Sequence, residues 1–200
     1  MLDFVAGVMA DMGTLGIFLL MLAENIFPPI PSEAIMPVAG FAAAQGRMDP
    51  LGVFVAGNAG AILGNAVWYE ASRAVGQARI ERAADRWGRY FGIVGEDVRA
   101  AGALLVRWGA WAVLVCRCLP GPRTLISVPA GLVRMNRAVF YVATAAGTCL
   151  WTGFLMGAGW LVQGQWERIG HWMEPLGVAV LAATAAVYGW HLWRTRGRWR

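Results

Sequence analysis

The chain has 200 residues, 58% of them hydrophobic and only 14% charged, with 26 glycines and 11 tryptophans. That balance excludes an ordinary water-soluble domain and predicts an all-α integral membrane protein. The formal net charge of +5 comes largely from arginines in two blocks, which points to anionic lipid and membrane orientation and away from nucleic acid.

Near the start stand Asp3 and Asp11 where a secretory leader would be basic, so a cleaved signal peptide is not expected. Phe4, Val5, Val8 and Met9 are spaced for a short amphipathic lead-in along the interface. Residues 13–25 then form an apolar run that ends at Pro28-Pro29-Ile30-Pro31-Ser32-Glu33, and residues 34–45 form a second one. Each is too short for the roughly 20 residues a crossing helix needs. Together they predict a re-entrant hairpin or a broken span, because closely spaced prolines cannot continue a helix.

Asp49-Pro50 predicts the start of a helix over 51–75, with Pro at its first position. Gly57, Gly60 and Gly64 make a small-residue stripe on it for close packing. Asn58, Asn65, Tyr69 and Arg73 lie near one side, where they either line a polar interior or hydrogen-bond helices together. Residues 73–99 are the long hydrophilic stretch, rich in arginine, and the excess of basic charge places them in the cytoplasm.

The second half follows the same plan. Residues 100–116 approach a break at Arg117-Cys118-Leu119-Pro120-Gly121-Pro122-Arg123, residues 124–133 return, and residues 138–162 are long enough to span. A polar link at 163–174, an extra C-terminal transmembrane helix at 175–193 and a tail with four arginines and no acid put the C-terminus in the cytoplasm as well. Trp160, Trp166, Trp172, Trp190, Trp193 and Trp199 fall near proposed helix ends and read as interfacial anchors.

Shifting the sequence by 91 residues lays Pro29 on Pro120, Pro31 on Pro122, Ile35 on Ile126, Ala39 on Ala130 and Gly40 on Gly131. The expected architecture is one membrane domain, 1–200, holding an inverted repeat of re-entrant helical hairpin plus transmembrane helix. The two copies are approximately 12–75 and 100–162, and 163–200 supplies the extra helix and basic tail. Inverted repeats with broken helices are a transporter arrangement.

Both breaks are charged: Glu24 and Glu33 at the first, Arg117 and Arg123 at the second. A charge at membrane depth costs roughly 2.5–3.5 kcal/mol on insertion scales, so acids and bases that meet there offset the cost and form a site. Two guanidiniums on one turn suit phosphate oxygens. The same arginines are equally served by Glu24 and Glu33 in a structural ion-pair lock, and both readings stand at this point. Protonation of either glutamate would release its arginine, which makes Glu24 and Glu33 the candidates for proton coupling. Arg117, Arg123, Ser32, Asn65 and Tyr69 are the candidates for substrate binding. Cys116, Cys118 and Cys149 lie in apolar segments with no histidine nearby and read as small buried residues, so neither a metal nor a cofactor is expected. Ser32 and Ser127 have no base at an identifiable spacing, and no enzyme activity is expected.

The ordered set of these motifs resembles the DedA family, also called SNARE-associated or VTT-domain proteins, over roughly residues 10–165. The residues that carry it are Glu24-Asn25, Pro28 to Glu33, Pro37-Val38-Ala39-Gly40, Gly64-Asn65 with Tyr69 and Arg73, Arg117 to Arg123, Pro129-Ala130-Gly131, Met135, Gly147 and Trp151. The resemblance implies opposed re-entrant hairpins and movement of a lipid-linked phosphate, undecaprenyl phosphate, across the bacterial inner membrane, driven by protons. It implies an anionic lipid phosphate, protons and membrane lipids as partners, and a homodimer is compatible with it. Many members carry Asp where this chain has Asn65. The alternatives are proton-coupled export of small cationic compounds, non-specific phospholipid scrambling and a lipid-organising role without net transport.

Overall fold

The computed structural model describes residues 2–27, 32–76, 95–119 and 122–161, and all regular structure among them is helical. The C-terminal helix, the basic tail and most of the 73–99 link lie outside the described residues. The elements are α1 (Leu2–Ile26), α2 (Ser32–Ala44), α3 (Pro50–Val75), α4 (Gly95–Trp108), α5 (Ala110–Arg117), α6 (Pro122–Leu125), α7 (Ser127–Leu132) and α8 (Arg137–Leu161).

The helix ends follow from local chemistry. Pro50 opens α3 behind Asp49, whose side chain accepts the Gly52 amide at 2.5 Å. This is the predicted N-cap with Pro just inside it. The segment after the second break is split into α6 and α7, because Pro129 has no N–H to offer the Leu125 carbonyl four residues back.

Two glycines act as hinges. Gly13 divides α1 where the amphipathic lead-in was expected to end, with φ 58° and ψ −134°. Gly109 separates α4 from α5 with nearly the same angles, φ 51° and ψ −126°, and bends the pair by 113°. That region of backbone space is open only to glycine. The bent pair is the re-entrant element of the second half.

Phe4–Ile26, Pro50–Val75 and Arg137–Leu161 are long and apolar enough to cross a membrane. Their outward faces carry Leu15, Leu19, Leu63, Val142, Leu150 and Phe154, all exposed, as helices facing lipid require. Inside are two apolar clusters. One gathers Val5, Ile17, Met21, Ile35, Met36, Val53, Ala61 and Leu155. The other gathers Tyr69, Leu105, Val113, Ile126, Ala130, Phe140 and Ala143.

Close backbone contacts join the helices in a recurring pattern. The glycine stripe of α3 packs on α1: a methyl group on Gly64 would meet the Asn25 Cβ at 2.6 Å, and one on Gly60 would overlap the Phe18 carbonyl. Gly147 of α8 likewise makes room for Arg117 of α5. The half-helices after the breaks lie on the far spanning helix: Gly40 of α2 meets the Met156 carbonyl of α8, and Gly131 of α7 meets the Tyr69 carbonyl of α3. Each half thus inserts its short returning helix against the long helix of the other.

Two neighbouring glycines of α8 test this packing. A Cβ at Gly159 would collide with the Pro37 backbone, whereas nothing lies within 4 Å of one at Gly157. Gly159→Ala should lower the melting temperature in detergent by an overpacking cost of about 1–3 kcal/mol. Gly157→Ala should leave it unchanged or raise it, by about 0.5–1 kcal/mol from helix propensity.

Candidate functional site

Most of the buried polar residues lie in a layer between the two apolar clusters, with Asn58 set inside the first and Ser72 beyond Tyr69 of the second. Along α3 the order is Val53 and Ala61, then Asn65, then Tyr69; along α8 it is Phe140 and Ala143, then Thr144, Thr148 and Thr152, then Leu155. Asn65 is 15 residues from the start of α3 and 10 from its end, roughly 22 and 15 Å at 1.5 Å per residue. The layer therefore sits near the middle of a spanning helix.

Glu24, at the end of α1, and Arg123, in α6, form an ion pair across 99 residues of sequence, and both are largely buried. It joins the first break to the second. Arg117, 2% exposed at the end of α5, has no carboxylate partner among the described residues. Its guanidinium donates to Ser127 Oγ at 2.8 Å and to Thr144 Oγ1 at 3.4 Å, and lies 5.9 Å from the centre of the Phe140 ring. Hydroxyl oxygens and a ring face solvate this cation without neutralising it.

From Arg117 the chain of hydrogen bonds continues to the first break. Ser127 Oγ donates to Asn65 Oδ1 at 3.1 Å, and Asn65 Nδ2 donates to Asn25 Oδ1 at 2.7 Å and to the Ala61 carbonyl at 2.8 Å. Asn25 Nδ2 donates to the Met21 carbonyl at 2.8 Å. A parallel link ties α8 to α3, Thr152 Oγ1 donating to Asn58 Oδ1 at 3.1 Å.

Arg117, Arg123, Asn25, Asn65, Thr148 and Trp151 surround a cavity of about 10 Å³, the scale of a single water. Three buried polar atoms in this neighbourhood, Glu24 Oε2, Arg117 Nε and Trp151 Nε1, have no hydrogen-bond partner among the described residues. Unsatisfied groups of this kind are rare, and three of them beside two buried arginines call for an explanation.

Of the sequence candidates, Glu24, Arg117, Arg123 and Asn65 are brought together here. Glu33 is not: it lies half-buried in the first turn of α2, where an acid complements the helix dipole, and makes no ion pair among the described residues. The Ser32 side chain lies outside the described residues. Tyr69 is fully buried but turned to other work, its hydroxyl donating to the Met135 carbonyl at 2.5 Å while its ring stacks on Phe140 at 4.0 Å. Asn25, Ser127, Thr144, Thr148, Thr152 and Trp151 were not among the candidates. The threonines had a legible signal, a hydroxyl every fourth residue along one face of a helix. Ser127 had none, because only the fold carries it to Arg117.

Among the described residues no carboxylate or imidazole hydrogen-bonds to Ser127, so none of them is placed to take its proton as a nucleophile requires. Among the described residues no three His, Cys, Asp or Glu side chains converge as metal ligands.

Residues 30–161 match the VTT domain. The chain belongs to the VTT-domain, or DedA, family. This VTT-domain protein is 31% identical over 189 residues to the "Alkaline phosphatase-like protein" of Lactococcus lactis subsp. cremoris, covering 94% of this chain and 88% of the relative. It is 34% identical over 139 residues to "Undecaprenyl phosphate transporter A" of Staphylococcus aureus, covering 70% and 68%. To the Bacillus subtilis protein of the same name it is 24% identical over 184 residues, covering 90% and 89%. No solved structure matches the chain. It is a multi-pass bacterial membrane protein whose family has a general transport function.

The Glu24–Arg123 pair has a measurable signature. Glu24→Gln and Arg123→Gln alone should each destabilise the detergent-solubilised protein by about 3–5 kcal/mol, since each leaves a buried charge unmatched. The double substitution should cost clearly less than their sum in thermal unfolding. Strict additivity would mean that the two groups do not interact.

Proposed function

We propose that the protein flips a lipid-linked phosphate, undecaprenyl phosphate, between the leaflets of the bacterial inner membrane, with its C-terminus in the cytoplasm. The observation that carries this is Arg117, a cation buried in the middle of the fold with no acid to neutralise it among the described residues. A fixed positive charge in a low-dielectric setting attracts an anion strongly. The names of the Staphylococcus and Bacillus relatives agree in substrate.

In this reading Arg117 and Arg123 hold the phosphate, which takes the place of the Glu24 carboxylate on Arg123. Asn65 and Ser127 orient Arg117. Tyr69 acts on the packing of α3 against α7 and α8, and Ser32 and Glu33 at the head of α2 meet the substrate as it passes the first break. The cavity is too small for a phosphate group, so the observed state is closed, and entry needs Glu24 to leave Arg123. Protonation of Glu24 removes the charge that holds it there; re-ionisation restores the competitor and expels the anion. Two opposed halves, 12–75 and 100–162, with crossed half-helices supply the rocking interface that alternating access requires.

The rival readings fit less well. A carrier for small cations would face an uncompensated guanidinium at its centre. Phosphate ester hydrolysis, suggested by the name of the Lactococcus relative, finds no base beside Ser127 among the described residues.

Leaflet-resolved translocation of undecaprenyl phosphate in liposomes, with phosphatidylcholine as competitor, tests the proposal. Arg117→Ala and Arg123→Ala should lower the rate at least tenfold, and Glu24→Gln should make the rate independent of an imposed pH gradient. Equal movement of phosphatidylcholine with Arg123 dispensable would identify a non-specific scramblase instead. A wild-type rate indifferent to the pH gradient removes the proton step.

A further inference from the structure

The turns that lead into the two long helices α3 and α8 share a pattern, Arg47-Met48-Asp49 and Arg134-Met135-Asn136. In both, the last residue caps the helix, Asn136 Oδ1 accepting the Ala138 amide at 2.9 Å as Asp49 accepts that of Gly52. In both, the half-helix before the turn closes with the same crossed pair of backbone bonds. Gly46 and Arg47 donate to Ala43 and Ala42, and Arg134 and Met135 donate to Gly131 and Ala130. This ending needs one residue in the left-handed conformation, usually glycine.

The first turn uses Gly46, φ 71°; the second uses Arg134, φ 52°, the single non-glycine residue with positive φ among the described residues. The strain is held in place from outside. Tyr69 Oη and Arg73 Nη1 both donate to the next carbonyl, that of Met135, at 2.5 and 2.8 Å. Strain that the surroundings maintain marks a position kept for something other than stability. The side chains of Arg47 and Arg134 are exposed, and neither makes an ion pair or side-chain hydrogen bond among the described residues.

Their places are complementary. Arg47 precedes the first residue of α3, and the Arg134 turn is fastened to Tyr69 and Arg73 near its end. The 24 residues from Pro50 to Arg73 span roughly 35 Å, between the hydrocarbon thickness of about 30 Å and the full bilayer of about 40–45 Å. The two arginines therefore stand at opposite membrane faces. Beside Arg47, between α1 and α2, runs a half-open groove of about 680 Å³ walled by Met9, Thr14, Val38, Ala42 and Met48. Apolar walls with one cation at the mouth fit a hydrocarbon chain that ends in a phosphate.

We propose that Arg47 and Arg134 are paired docking residues for the phosphate of a membrane lipid, one at each face, and that the groove beside Arg47 holds that lipid's chain. The inference rests on the anionic-lipid reading above, but its test measures binding, so the two fail separately. Native mass spectrometry of the full-length protein in detergent, titrated with dioleoyl phosphatidylglycerol or dioleoyl phosphatidylcholine, counts bound lipid. Arg47→Gln and Arg134→Gln should each weaken phosphatidylglycerol binding about fivefold, the effect of one surface arginine, and leave phosphatidylcholine unchanged. Arg134→Gly should raise the melting temperature, by relieving the backbone, and still lose the lipid. A double Arg47→Gln, Arg134→Gln variant that binds phosphatidylglycerol like the wild type, or an Arg134→Gly variant that gains stability with binding intact, would overturn the proposal. If instead the transport reading is the one at fault, phosphatidylglycerol binding follows these expectations while undecaprenyl phosphate fails to move in vesicles.

Discussion

A guanidinium in the hydrocarbon layer must be compensated locally, because neither water nor salt reaches it. That constraint shapes the centre of this protein. Arg123 meets it with Glu24, and the partner comes from the other half of the chain. Arg117 meets it incompletely, with two hydroxyls and a ring face. The helices that supply those groups, α1, α3, α5, α6, α7 and α8, are all drawn to one level by it. A fold that had only to be stable would place Leu at both positions and lose nothing, since well-packed apolar residues often equal or outperform a buried ion pair.

The charges also explain why the short helices lie where they do. A half-helix that stops in the middle of a bilayer leaves amide and carbonyl groups without partners, and these are tolerated only inside protein. Here α2 is covered by α8, and α7 by α3, with glycines at the crossings so that backbones touch. The close approach that shields the helix ends is the same one that brings Glu24 near Arg123. Packing and site are one arrangement, and a side chain added at Gly131 would disturb both.

The parts of this that were legible in the sequence are those set by local chemistry: the two proline breaks, the cap at Asp49-Pro50, the glycine stripe of α3, and acids facing bases. Composition alone fixed the membrane setting. Harder to see were the pairings. Nothing local distinguishes Glu24 from Glu33, yet the first stands at the C-terminal end of a helix, buried against Arg123, and the second at an N-terminus where the helix dipole already favours it. Tyr69 shares a face with Asn65, one turn away, but its hydroxyl reaches the Met135 carbonyl and its ring stacks on Phe140, away from Arg117 and Arg123. The hinges at Gly13 and Gly109 were hidden among 26 glycines, since a positive φ leaves no mark on composition.

The amide at position 65 decides the charge state of the layer. Asn65 uses both its functions: its nitrogen donates to Asn25 and to the Ala61 carbonyl, and its oxygen accepts from Ser127, which in turn accepts from Arg117. An aspartate at this place, which the family resemblance implies for many members, would have two acceptor oxygens and no donor when ionised. It would leave Asn25 Oδ1 facing a carboxylate, and would set a negative charge one hydroxyl away from Arg117. With the amide, the only acid joined to the layer among the described residues is Glu24, and that one is committed to Arg123. Among the described residues, two arginines against one glutamate leave a net positive charge at the centre, which the anionic passenger proposed above would neutralise. An amide at position 65 in place of an acid thereby strengthens the case for an anionic passenger, and it concentrates any proton-linked step on Glu24.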